Sequence, residues 1–146
     1  MRKADTSQEI CFTVFGPPKG KGRPRFSRGR NNIYAYTPPT TKKYEQDIRE
    51  AYRMQIGAGI LLQGPISAEI VCYYPIPKSE SKSTKESMKA GDLYPLKKPD
   101  LDNVLKCVLD ACNDLVYLDD KQICCVRIEK RYGIEPRVEI RFCKML

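Results

Sequence analysis

Histidine is absent from this chain of 146 residues, and so is any Cys-x-x-Cys pair. Without imidazole, the protein has no histidine general base and no zinc site that uses histidine. Its cysteines number seven, an odd set that favours buried, reduced thiols over a framework of disulfide bonds. No apolar run approaches the length of a signal peptide or of a membrane-spanning helix. We therefore expect a cytoplasmic protein without a targeting segment.

Negative charge is scarce. Asp and Glu number 18 against 26 Lys and Arg, which gives a net charge of +8 and a pI near 9.1. Nucleic acid is the leading partner, because neutralising phosphates supplies most non-specific nucleic-acid affinity. The alternative is a basic protein whose charge serves only solubility. An anionic membrane surface is disfavoured, since no basic amphipathic helix of the required length is present.

The length suits a single domain over residues 1–146, with a core of useful size. The spacing of apolar residues predicts an α+β fold, in which a small mixed sheet packs with two main helices. We expect residues 1–8 to be a flexible tail and the Ser- and Lys-rich residues 78–90 to be a mobile loop. The predicted strands cover residues 9–15, 33–37, 66–74, 123–132 and 138–142, and the predicted helices cover about 40–56 and 100–115.

Four of the scarce acidic residues stand close together in the sequence. Asp100 and Asp102 begin the second predicted helix, and Asp119 and Asp120 follow it. Two or three carboxylates in one cleft are the usual protein ligands of Mg²⁺, which keeps waters and takes substrate phosphate oxygens as its other ligands. Without a cation these carboxylates would repel one another. The pattern indicates a metal site that acts on a polyanion.

Each member of this acidic group also has an ordinary structural explanation. Asp100 lies at the expected N-cap, where carboxylates often accept hydrogen bonds from free amides. Asp119 and Asp120 could form a polar turn. Lys106 could pair with Asp102 at i,i+4, or it could stabilise charge that develops on a phosphate in a transition state. Tyr117 and Leu118 are expected to anchor the turn.

A basic segment near the start of the chain is the second candidate functional region. Its six cations lie within 12 residues and would grip phosphates without reading the base sequence. Phe26, Tyr34 and Tyr36 could stack on unpaired bases, or they could be core residues. A solvated loop remains the alternative. The candidate DNA-binding residues are Lys19, Lys21, Arg23, Arg25, Arg28 and Arg30.

Three motifs resemble those of the RusA family of Holliday junction resolvases. They are Lys19-Gly-Lys-Gly-Arg-Pro-Arg-Phe26, then Pro99-Asp-Leu-Asp-Asn103 followed by Lys106 and Asp110, and finally Val116-Tyr-Leu-Asp-Asp-Lys-Gln-Ile123. The resemblance implies a homodimeric α+β endonuclease of DNA recombination and repair. Such an enzyme uses Mg²⁺ or Mn²⁺ to cut two strands of a four-way DNA junction symmetrically.

Carried over by motif, Asp100, Asp102 and Asp120 would be the catalytic metal ligands, and Lys106 would act in catalysis. Asp119 also matches, and its part in metal binding is left open. The chain departs from the family pattern at Asp114, where glycine is common. Two other functions stay open: a non-catalytic nucleic-acid-binding module whose aspartates are caps and turns, and a nuclease for other branched DNA or for RNA.

Overall fold

The structure is a computed structural model, and it describes residues 8–59 and 61–146. Seven of the eight residues of the expected tail lie outside this range, so that prediction stays a prediction. None of the described helices is long and apolar enough to cross a membrane. The elements, in chain order, are β1 (Glu9–Phe15), β2 (Arg25–Arg28), β3 (Ile33–Tyr36), α1 (Pro39–Gln55), β4 (Ile66–Pro75), α2 (Lys82–Ala90), α3 (Leu101–Ala111), a 3₁₀ turn (Asp120–Gln122), β5 (Ile123–Gly133) and β6 (Arg137–Lys144).

The main sheet has four strands in the order β1-β6-β4-β5. β6 is antiparallel to both of its neighbours, whereas β4 and β5 run parallel. Parallel neighbours need a long crossover, and here the crossover contains α2 and α3. β2 and β3 form a separate antiparallel hairpin. The predicted α+β fold with a small mixed sheet is confirmed.

The core lies between one face of this sheet and the helices α1 and α3. Side chains of a strand alternate between two faces, and the alternate residues of β4 are all buried. α1 and α3 each present an apolar stripe to that face, as the helical spacing predicts. The buried set includes Ile66, Ala68, Ile70, Cys72 and Tyr74 of β4, Tyr44, Ile48 and Tyr52 of α1, and Val104, Cys107, Val108 and Ala111 of α3.

The interpretation of residues 78–90 as a loop is wrong for most of that segment, because α2 forms there. The side chain of Ser81 accepts a hydrogen bond from the backbone N–H of Thr84 at 3.2 Å, which caps the first turn. Gly91, at φ 84°, ends the helix in a left-handed conformation. Met88 is the buried residue of this helix. Caps and one apolar anchor therefore replace the apolar stripe that a longer helix needs.

Two helix boundaries also differ from expectation. α1 begins at Pro39, one residue before the predicted start, with Pro38 at its N-cap. α3 ends at Ala111, about one turn before the predicted Leu115, because the chain turns at Asp114. Asp114 has a φ of 62° and its N–H donates to the carbonyl of Tyr117 at 2.8 Å. A left-handed backbone here explains why glycine is favoured at this position.

All seven cysteines are free thiols, but only three of them are buried. Cys72, Cys107 and Cys112 lie in the core, whereas Cys124 and Cys125 lie on β5 at an open edge of the sheet. The expectation that the cysteines as a group are buried is therefore wrong. A strand with one neighbour leaves its side chains with fewer packing partners than a central strand has.

Candidate active site and nucleic-acid interface

The outer side of α3 carries a row of charged residues. Asp102, Lys106 and Asp110 follow one another at four-residue spacing, which places them on one side of the helix. Asp102 and Lys106 are exposed, and Asp110 is half-buried. Lys106 forms no ion pair with Asp102 in the described part of the chain, so the i,i+4 explanation for this lysine is not supported. The row spans about 12 Å, at 1.5 Å per helical residue.

Asp100 occupies the N-cap position of α3, but its carboxylate does not act as a cap. Its side chain accepts no hydrogen bond from the first turn, while its backbone carbonyl accepts the N–H of Val104 at 3.1 Å. Just before it, the carbonyl of Pro99 accepts a hydrogen bond from the hydroxyl of Tyr74 on β4. The sheet thus holds the start of α3 while the exposed carboxylate of Asp100 stays available for a ligand.

An open cleft of about 610 Å³ lies in front of this helix start. The basic segment forms its other wall, since the N–H of Lys21 donates to the carbonyl of Asn103 at 2.9 Å. Gly20 permits that approach, because a Cβ at this position would lie 2.9 Å from the Cβ of Asn103. Charges of both signs face the same space, with Asp100 on one wall and Lys19, Arg23 and Lys98 around it.

A second acidic group lies at the other end of α3, and the structure distinguishes its two adjacent aspartates. Asp119 accepts the N–H of Lys121 at 2.9 Å, and Gln122 accepts the N–H of Asp119 at 3.2 Å, which completes a capping box. The hydrogen bond from Lys121 lowers the pKa of Asp119. Asp119 is therefore a structural cap.

The carboxylate of Asp120, in contrast, is crowded by other carboxylates. The backbone N–H of Asp120 donates a hydrogen bond to the side-chain oxygen of Asn113 at 2.9 Å, which fixes the position of the Asp120 backbone. Loss of hydration raises the pKa of Asp120, and the neighbouring Asp119 and Asp110 raise it further. This is the electrostatic conflict that the sequence predicted for an acidic group without a cation.

Buried Tyr117 anchors the turn that carries this group. Its hydroxyl donates to the carbonyl of Leu109 at 2.7 Å, and its ring meets Phe142 edge-on at 5.6 Å. The expectation that Leu118 is a second anchor is wrong. Its side chain is 65% exposed. The backbone of Leu118 is fixed instead, because its N–H donates to the side-chain oxygen of Gln122.

Lys21 differs from the other cations of the basic segment. Its ammonium group contacts a carboxylate oxygen of Asp110 and lies 3.7 Å from Glu45. The hydrogen bond to Asp110 raises the pKa of Lys21. Its charge is thus already matched within the protein. The remaining candidate DNA-binding residues, Lys19, Arg23, Arg25, Arg28 and Arg30, are exposed, and none of them pairs with a carboxylate within residues 8–59 and 61–146.

The structure does not assemble the predicted three-carboxylate set. Asp100 and Asp102 lie at the start of α3, whereas Asp120 lies near Asp110 at its end. Across the described ranges, no three Cys, Asp or Glu side chains are grouped closely enough to hold one ion. Asp110, Glu45 and Asn113 were not singled out as site residues from the sequence. The four-residue spacing of Asp102, Lys106 and Asp110 was the available signal for Asp110.

The donors present nevertheless fit a hard divalent cation. Around α3 they are carboxylate oxygens, and the thiols of Cys107 and Cys112 are buried in the core. Mg²⁺ binds through one or two carboxylates and completes its shell with water and phosphate. The carboxylate of Asp100, which caps no helix, and the carboxylate of Asp120, which lies close to other carboxylates, could each supply part of such a ligand shell. A cation beside Asp120 would relieve the repulsion among its neighbours.

Two comparisons connect this geometry to known proteins. Residues 16–142 match the family model described as "Endodeoxyribonuclease RusA", a range that includes every candidate site residue. The chain is also 40% identical over 133 residues to the "Uncharacterized protein YqaN" of Bacillus subtilis (strain 168). That alignment covers 90% of this chain and 93% of the relative.

Proposed function

This chain belongs to the RusA endodeoxyribonuclease family, and from that premise we propose that it resolves four-way DNA junctions by metal-dependent, paired cleavage of phosphodiester bonds. Membership makes it a DNA-cleaving hydrolase, with DNA as its partner. The observation that carries the finer proposal is the cleft at the start of α3, where the uncapped Asp100 faces Lys19, Arg23 and Lys98. Cations there can hold DNA phosphates, and Asp100 would supply a carboxylate ligand for a divalent cation.

The proposed ligands of the ion are Asp100, Asp102 and Asp120, with Mg²⁺ preferred and Mn²⁺ as an alternative. When bound, the ion lowers the pKa of a water and offsets charge on the scissile phosphate. We assign Asp119 to the cap of the 3₁₀ turn. Because Asp120 is not grouped with Asp100 and Asp102 in this structure, we propose that it joins them only when substrate binding moves the turn that carries it.

Lys106 lies between the two acidic groups, exposed and without a carboxylate partner in the described residues. An unmatched ammonium in this position can stabilise negative charge that develops on the phosphate. General-base work falls to a carboxylate, to the substrate phosphate or to a water whose pKa a bound cation would lower, because the chain has no histidine. Lys106→Met would keep the aliphatic stem while it removes the charge.

A homodimer suits the proposed reaction, since two matched cuts across a four-way junction fit an enzyme with two-fold symmetry. The open edge of β5 is a surface that such a dimer could use. The free thiols suit a reducing compartment, and we propose that the protein acts on DNA in the cytoplasm.

The experiment is cleavage of a labelled synthetic four-way junction with and without Mg²⁺ or Mn²⁺, beside a linear duplex of the same sequence. We expect paired, symmetrical nicks in the junction alone, dependent on the metal. Asp100→Asn and Asp120→Asn should abolish cleavage and leave junction binding largely intact. Asp92→Asn is the matched control, because Asp92 is exposed and does not line the cleft.

Other outcomes would assign a different function. Salt-sensitive binding without cleavage in either metal would favour a nucleic-acid-binding module and return the aspartates to structural roles. Faster cleavage of forks, flaps or RNA than of the junction would keep the nuclease and change its substrate.

A further inference from the structure

The hairpin formed by β2 and β3, residues 25–36, stands outside the main sheet; we call it the hairpin arm. Its register pairs Arg25 with Tyr36 and Arg28 with Ile33, and its turn is closed by a bond from the N–H of Gly29 to the carbonyl of Asn32 at 2.7 Å. An isolated two-stranded hairpin is at best marginally stable in water. A hairpin in this position therefore calls for a ligand or partner that orders it.

The arm exposes large apolar side chains. Phe26 is 73% exposed, Ile33 66%, Tyr34 50% and Tyr36 37%. None of them belongs to the hydrophobic core, so the explanation of the tyrosines as core residues is wrong. Exposed aromatic rings on a polar, basic segment are typical of surfaces that bind unpaired bases.

The register places two of these rings side by side. Tyr34 and Tyr36 are two residues apart on β3, and Tyr36 lies opposite Arg25, so the three side chains share one face of the arm. The two ring centroids are 6.3 Å apart, with their planes inclined by 50°. That separation is close to twice the rise of about 3.4 Å between stacked nucleotides. The two rings therefore offer neighbouring aromatic faces on one side of the arm.

The charge of the arm indicates which class of molecule binds to it. Arg25, Arg28 and Arg30 belong to the arm and Arg23 lies two residues before it. All four are exposed and have no carboxylate partner in the described residues. Guanidinium groups bind phosphates with paired hydrogen bonds, and an apolar protein partner would leave these charges unmatched. Nucleic acid matches both the rings and the charges.

We propose that Tyr34 and Tyr36 stack on an unstacked base at the branch point and thereby give the enzyme its preference for branched over continuous DNA. The arginines of the arm hold the neighbouring phosphates, which every DNA substrate offers. A continuous duplex presents no free base face, so it gains only the phosphate contacts. This inference rests on the proposed function, because it concerns how the same enzyme selects its substrate.

The test measures binding without metal, so that no cleavage occurs. Fluorescence anisotropy gives the affinity of the full chain for a four-way junction, a single strand and a linear duplex. The double variant Tyr34→Ala/Tyr36→Ala is expected to lose about tenfold or more on the junction and the single strand. The duplex should change less than about twofold, because its phosphate contacts remain.

Two variants control for the shape of the arm. Tyr34→Phe/Tyr36→Phe keeps both rings and should bind as the unmodified protein does. Ser27 lies opposite Tyr34 on the same face of the arm. Ser27→Ala removes no ring, so it should leave the affinity for all three DNA substrates unchanged. A 2-aminopurine placed at the branch point should be quenched by the unmodified protein and by the Phe variant, and not by the Ala double variant.

An equal loss on junction and duplex, or no loss at all, would overturn the inference. A fall in oligomeric mass of the Ala double variant by analytical ultracentrifugation, with DNA selectivity unchanged, would make the arm a contact between copies instead. The proposed function fails separately, if the unmodified protein does not cleave branched DNA in Mg²⁺ or Mn²⁺. The binding comparison without metal tests the role of the arm whether or not the protein cleaves branched DNA.

Discussion

The contact between Lys21 and Asp110 ties the basic segment to α3, and its removal should be measurable in two ways. Both side chains are partly buried, at 21% and 25% exposure, and the N–H of Lys21 also donates to Asn103. Hydrogen bonds to charged groups contribute about 1.5–3 kcal/mol to stability. Lys21→Met keeps the stem and removes the charge. We expect it to lower the free energy of unfolding by about 2 kcal/mol and Tm by about 4–8 °C.

The pH of the assay follows from the direction of the pKa shift. Asp110 raises the pKa of Lys21 above its ordinary value of 10.5. A cation with a raised pKa contributes stability below its unfolded-state pKa and loses it as the pH rises through the folded-state value. At pH 7 the contribution of Lys21 is therefore fully present, and urea unfolding at this pH reports the whole effect.

A double-mutant cycle with Asp110→Asn isolates the contact. We expect a coupling energy of about 1–2 kcal/mol between the two substitutions. Mg²⁺ should also raise the Tm of Lys21→Met more than that of the unmodified protein, because the freed Asp110 carboxylate joins Asp120 as a ligand. Substitutions that add within about 0.5 kcal/mol, together with equal shifts in Mg²⁺, would refute the reasoning.

Three further results are expected. Asp120→Asn should raise the free energy of unfolding at pH 7 without metal by a few tenths of a kcal/mol, because a carboxylate with a raised pKa destabilises the fold only when it is ionised. At pH 3 the carboxylate is protonated, so thermal melts of the two proteins should agree there. A loss of stability at pH 7 would contradict this reasoning. Gly20→Ala should cost about 1–3 kcal/mol in urea unfolding and slow cleavage, since its Cβ would meet Asn103 at 2.9 Å and push the basic segment away from α3. A thiol reagent at neutral pH should modify Cys124 and Cys125 first and leave the three core thiols unmodified until the protein unfolds, as mass spectrometry would show.

The parts of the fold that follow a strict hydrophobic period are the parts that could be predicted. Alternation along β4 and the apolar stripe of α3 arise because each element buries one side in a common core. α2 carries no such stripe. Its nine residues depend on the cap at Ser81, the left-handed Gly91 and the contact of Met88, none of which produces a period. Hydrophobic periodicity therefore does not detect a helix such as α2, which is stabilised mainly by its two caps.

The sequence pointed to candidate residues, which remain predictions, but it did not separate the structural roles of neighbouring aspartates that the structure distinguishes. The capping box from Asp119 to Gln122 has a sequence signature, an acidic or hydroxyl residue followed three positions later by Glu or Gln. That signature could have separated Asp119 from Asp120. The availability of Asp100 has no such signature, because an N-cap aspartate that accepts no hydrogen bond has the same sequence as one that does.

Electrostatics explains why so basic a chain gathers aspartates along α3. A net charge of +8 attracts DNA to the whole surface, but Asp100, Asp102 and the group around Asp120 would repel a phosphate that approaches the helix. The exposed arginines of the hairpin arm meet no such repulsion. We therefore expect DNA to bind the arm before any ion is present, and a divalent cation to offset the negative charge of the aspartates where the DNA backbone approaches α3. Under the proposed function, we expect binding and cleavage to depend on different charges of the same protein, with the metal required for cleavage and not for binding.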